Sequence, residues 1–113
     1  MTTVIIEVAD LETTKQRTKA AFLGEPQGCF ITFASPEALW STLTANRWGI
    51  LKALTGAGPL GVRELARRVG RDVKGVHTDA QALVAAGVID RTNDSKLLFP
   101  YDEVRLELVL KAA

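Results

Sequence analysis

A chain of 113 residues with 47% hydrophobic content suits one compact domain, or one domain with an added arm, and can bury roughly two-thirds of the surface it exposes when unfolded. This composition excludes a disordered chain, no stretch reaches the roughly 20 apolar residues of a spanning helix, and the single Cys29 excludes an internal disulfide. The net charge of +1 hides an uneven distribution: Gly61–Thr78 carries five basic residues against two acids, which leaves −2 for the remainder.

Thr3–Val8 is rich in β-branched residues and predicts a strand. It is short, contains Glu7 and lacks a preceding basic region, so it does not read as a leader, and a cytoplasmic location is expected. Asp10 is placed to cap a helix from Leu11 to about Leu23, which Gly24 and Pro26 would stop. Cys29–Phe33 predicts a second strand. Residues 1–34 thus read as a strand-helix-strand arm.

Ser35-Pro36-Glu37 starts a helix: serine accepts from an orphan N–H, proline fits the first helical position and glutamate complements the dipole. This helix is expected to turn Leu39, Trp40 and Leu43 inward. Thr44 is placed to cap a further helix holding Trp48, Ile50, Leu51 and Leu54, with a bend near Thr44 and a stop at Gly56 and Gly58-Pro59.

Val62, Leu65, Ala66 and Val69 recur at helical spacing over about two turns, and Gly70 ends them. After Arg71-Asp72 a second periodic run follows, with Val73, Val76, Ala80, Leu83 and Val84 expected inward, closed by Gly87. Two short amphipathic helices joined by a tight glycine-containing turn are the helix-turn-helix signature. Val88-Ile89 and Leu97-Leu98-Phe99, separated by Asn93-Asp94-Ser95, then predict a β-hairpin, the wing, which Pro100 ends. The tail Glu103–Lys111 alternates Val104, Leu106, Leu108 and Leu110 with charges, the period of a half-buried strand, although several of its residues also form helices well. The expected fold is α+β: a winged helix-turn-helix over residues 35–113 with a C-terminal strand, preceded by the arm.

A positive block on a near-neutral protein suits a polyanion met through one face. The face of the second helix opposite its apolar row would carry Lys74, Gly75, Thr78 and Ala82 into a major groove, with Arg71 at its entrance. Gly75 costs on the order of 1 kcal/mol against alanine inside a helix, which is consistent with close approach to bases or with tight helix packing. Arg63, Arg67 and Arg68 are better placed for phosphates. Arg91 and Lys96 flank the wing turn and suit minor-groove phosphates or plain solvent equally. Asp72 reads first as a helix cap, His77 as a packed or surface residue, and Trp40 and Trp48 as core anchors.

The run NRWGILKAL…VRELARRVGRDVKGVHTDAQALVAAGVIDR…LLFPYDEVRLEL resembles small transcriptional regulators of the MarR-like winged-helix group. The resemblance covers about Phe33 to Leu108 and rests most on Asn46-Arg47-Trp48, Glu64-Leu65-Ala66, Arg71-Asp72-Val73 and Phe99-Pro100-Tyr101. It implies double-stranded DNA as partner, a regulatory role and, in some relatives, service as the antitoxin of a toxin–antitoxin pair. A cofactor is not expected. Catalysis finds little support, since Cys29 and His77 are far apart and no phosphate-cradling loop, zinc spacing or nucleophile elbow occurs. The stronger rival is a winged helix used for protein contact alone. A homodimer is expected, with Val104–Leu110 as seam and Val4–Val8 as an added paired edge. The arm Thr3–Phe33 is expected to serve a protein partner or, alternatively, to complete the fold.

Overall fold

The computed structural model describes residues 2–9 and 29–108. The helix expected over Leu11–Leu23, with its cap and stop, lies outside these residues, as does the end of the tail from Val109. Along the chain the described elements are β1 (Thr3–Val8), β2 (Cys29–Phe33), α1 (Pro36–Thr42), α2 (Ala45–Leu54), α3 (Val62–Val69), α4 (Val73–Ala85), β3 (Asp90–Arg91), β4 (Leu97–Leu98) and β5 (Glu103–Glu107). The result is an α+β fold with a small parallel sheet and a smaller antiparallel one.

β1 lies at the centre of the parallel sheet, in the order β2-β1-β5. Its register sets Val4 beside Cys29 and Val104, and Ile6 beside Ile31 and Leu106. The expectation that Val4–Val8 joins a dimer seam as a paired edge is therefore corrected, since β1 is flanked on both sides within the chain. A nearly unbroken apolar run is what a strand flanked on both sides requires, and Val4 and Ile6 are fully buried. Glu7 is buried too, and its carboxylate accepts from the Thr32 hydroxyl at 3.3 Å. Where β1 and β5 begin, the Asp102 backbone N–H donates to the Thr2 carbonyl at 2.9 Å and Asp102 Oδ2 accepts from the Thr2 N–H at 3.1 Å.

Ser35 caps α1 by accepting from Ala38 N–H at 3.1 Å, with Pro36 at the first position. Thr44 caps α2 by accepting from Arg47 N–H at 3.3 Å. The chain leaves helical geometry at Leu43 (φ −100°, ψ 75°), so the expected bend is a break between two helices. Leu39 and Leu43, one turn apart, take the inward row. Trp40, about 100° round the helix from Leu39, is left 53% exposed rather than buried. Trp48 is half-buried and packs on the core.

α2, α3 and α4 pack on one another around Ile50, Leu51, Leu54, Leu65, Val76, Ala80 and Leu83. Both glycine stops take the left-handed conformation, Gly70 at φ 70° and Gly87 at φ 77°. Arg71 N–H then bonds the Ala66 carbonyl and Val88 N–H the Leu83 carbonyl, the 6→1 bonds of a Schellman motif. Val73 departs from expectation at 39% exposed. It occupies the first helical position, one turn ahead of the packed Val76–Ala80–Leu83 row.

The antiparallel ladder pairs Asp90 with Leu98 and Arg91 with Leu97, later than the Val88-Ile89 start that the sequence suggested. Val88 and Ile89 instead enter the core directly from the end of α4. Leu60 adds a bridge to Leu97, with N–H···O distances of 2.9 and 2.7 Å, which ties the approach to α3 to the hairpin. Among the described residues, no helix is long and apolar enough to cross a membrane.

Candidate functional site

Lys74, His77, Thr78 and Gln81 are all exposed on α4. Their i, i+3, i+4, i+7 spacing makes one polar stripe along the face opposite Val76, Ala80 and Leu83. Gly70, Arg71 and Asp72 separate α3 from α4, and Asp72 caps α4 by accepting from Gly75 N–H at 2.8 Å. Of the residues expected on this face, Lys74 and Thr78 are there, while Gly75 and Ala82 are half-buried. His77 and Gln81 were missed, although their spacing from Lys74 was the available signal.

Gly75 has a local reason to lack a side chain. A Cβ there would stand 3.1 Å from Asp72 Oδ1 and 3.2 Å from Arg71 Nη2. The capping carboxylate and the arginine lie over this position, so neither bases nor a packed helix need be invoked for it.

The cations divide into tied and free. Arg71 Nη1 lies 2.9 Å from Asp79 Oδ2, while Arg47 Nε donates to Asp79 Oδ1 at 3.1 Å. Arg47 also donates to the carbonyls of Ser41 and Thr42 at the end of α1. Arg67 grips Glu64 with both Nε and Nη2, and Arg68 Nε lies 3.7 Å from the same carboxylate. That grip, chiefly the Arg67 hydrogen bond, holds the Glu64 carboxyl below its ordinary range. Arg63 and Lys74 are exposed, and neither pairs with an acid among the described residues.

Arg91 reaches from β3 to α4, its Nη2 donating to Gln81 Oε1 at 2.6 Å. Lys96 sits in the hairpin turn, 3.8 Å from Asp94. The Asp94 carboxyl is held low chiefly by the Thr92 hydroxyl. Between α3, α4 and the hairpin lies a cleft of about 200 Å³ bordered by Val62, His77, Ala80, Arg91, Ser95 and Leu97. A larger apolar cleft of about 440 Å³ lies elsewhere, between Trp40, Leu43, Thr44, Ala45, Trp48 and Leu106. Together the site offers one exposed polar helix face that carries Lys74, with Arg63 on α3, both without an acid partner among the described residues, and a hairpin latched to that face.

A family model described as HVO_A0114 matches residues 42–106, more than half of the chain, and the chain belongs to that family. The match runs from the last residue of α1 into β5, so it includes the polar stripe and the hairpin but not β1 or β2. No curated protein matches the sequence.

Proposed function

We propose that this member of the HVO_A0114 family is a winged helix-turn-helix protein of MarR-like type that binds double-stranded DNA and regulates transcription. In this reading α3 and α4 are the helix-turn-helix, α4 is the reading helix and the β3–β4 hairpin is the wing. The observation that carries it is the Lys74–His77–Thr78–Gln81 stripe, presented on a helix whose other face is locked into the core. A helix can read bases only if its outer face is polar and slim; on this stripe Gln81 is engaged by the proposed wing, through Arg91.

Lys74 and Thr78 would meet base edges, with Arg63 on adjacent phosphate. Arg67 and Arg68 sit in exposed, solvent-screened pairs with Glu64, which contribute little to stability. Exchanging Glu64 for phosphate is therefore inexpensive, and both remain candidates for the backbone. Arg91 and Lys96 would lie on phosphates beside the wing, while Arg71 acts mainly through Asp79. With DNA as target, a cytoplasmic location belongs to this reading, and catalysis and a cofactor have no part in it. The resemblance adds an antitoxin role, with a cognate toxin as second partner.

One observation favours the rival, a protein-contact module: three of the five cations in Gly61–Thr78 already hold acids of the same chain. Titration onto random-sequence duplexes at several salt concentrations separates the two. DNA binding through several phosphates gives an affinity that falls steeply with salt. No binding at low salt by the folded protein leaves the contact module.

A further inference from the structure

The outer edge of β5 has no strand beside it among the described residues, since β5 pairs only with β1 in the order β2-β1-β5. The register places Val104 and Leu106 on the same face as Val4 and Ile6, the face turned to the core. That apolar face continues past the helices that cover it. Val104 is half-buried, but Leu106 and Leu108 are 38% and 39% exposed, and Leu106 also borders the cleft between Trp40 and Trp48. On the other face Arg105 Nη2 lies 3.8 Å from Glu107. An exposed, partly apolar strand edge is a template for another strand.

The order Val104-Arg105-Leu106-Glu107-Leu108 reads as apolar, plus, apolar, minus, apolar, so it complements itself when reversed. We propose that β5 pairs antiparallel with β5 of a second copy about a two-fold axis at Leu106. Arg105 of each copy then faces Glu107 of the other, Leu106 faces its own counterpart, and Val104 faces Leu108. Cross-strand neighbours of opposite charge and of apolar type are the units that stabilise such a ladder.

Neighbouring registers fail. An axis at Arg105 sets arginine against arginine and Glu103 against Glu107. An axis at Glu107 opposes two glutamates, and one at Val104 puts Leu106 against Asp102. A shift by half a residue pair would set apolar side chains on the charged face. The two parallel sheets would join into one mixed sheet with antiparallel strands at its centre, an arrangement common in larger sheets. An isologous two-fold contact needs only this one patch, and the inference stands whether or not α4 reads DNA.

Sedimentation equilibrium on the full chain without DNA tests it, with circular dichroism to confirm that each variant is folded. The wild type should be dimeric at tens of micromolar. Arg105→Glu and Glu107→Arg, which set like charges opposite each other at two symmetric sites, should each raise the dimer dissociation constant about tenfold. The double variant Arg105→Glu/Glu107→Arg should recover the wild-type value within about threefold. A monomeric wild type, single variants that dimerise like the parent, or a double variant that fails to recover would each overturn the pairing.

Discussion

Arg47 of α2 donates from Nε to Asp79 of α4 at 3.1 Å, so the two helices are joined by a charged hydrogen bond whose side chains are only 21% and 16% exposed. Asp79 also holds Arg71 from the turn before α4, and Arg47 closes the carbonyl end of α1. One carboxylate thereby fixes three segments around the proposed reading helix. Removing it leaves two partly buried guanidinium groups without an acid. Asp79→Ala should therefore destabilise the protein by about 1–3 kcal/mol. In a double-mutant cycle, Arg47→Ala should cost much less once Asp79 is gone. Additive losses in chemical denaturation would show that the pair contributes nothing of its own.

Gly75 and Asp72 should be coupled in a similar way. Alanine at position 75 gains about 1 kcal/mol of helix propensity but intrudes on the cap, whose loss costs about 1 kcal/mol. Gly75→Ala alone should change stability by under about 0.5 kcal/mol, the two effects opposing. In an Asp72→Ala background the cap is already gone, and the same change should stabilise by about 1 kcal/mol. Equal effects in both backgrounds would mean that the cap does not govern position 75.

The Asp102 carboxyl is held below its ordinary range by the Thr2 backbone N–H, then by the Thr2 hydroxyl. A group whose pKa is lower in the folded state favours folding above the unfolded value and loses that contribution as pH falls through the folded one. Stability should therefore decline on acidification below the usual aspartate range, with Glu64 acting in the same direction. Asp102→Asn should flatten that decline and leave stability near neutral pH lower than the parent's. Thermal unfolding across pH 2–7 measures both, and unchanged steepness in the variant would contradict the Thr2–Asp102 tether.

Much of the helical region was legible in the sequence because local signals there agree with packing. Ser35, Thr44 and Asp72 each cap the helix they precede, and Gly70 and Gly87 close α3 and α4 in the left-handed conformation. What escaped depends on distant partners. The central place of β1 follows from pairing with β5, about 100 residues later in the chain, and no local pattern encodes that neighbour. Trp40 was misassigned because hydrophobicity alone does not say which face of a two-turn helix has room for an indole. Asp79 drew no notice because an acid inside a helix reads as solvated until the arginines on either side are placed in space.

The central claim is that the outer face of α4 reads DNA, and one comparison tests it most directly. Lys74→Ala, Thr78→Ala and Arg63→Ala are titrated onto a duplex selected by the wild type from random sequence and onto its scrambled counterpart, at several salt concentrations. Lys74→Ala and Thr78→Ala should each lose about 1–3 kcal/mol on the selected duplex and discriminate less at a nearby base pair. Arg63→Ala should weaken both duplexes alike and reduce the salt slope by about one unit. Folded variants that all bind both duplexes as the parent does would contradict the account and remove α4 from the DNA interface.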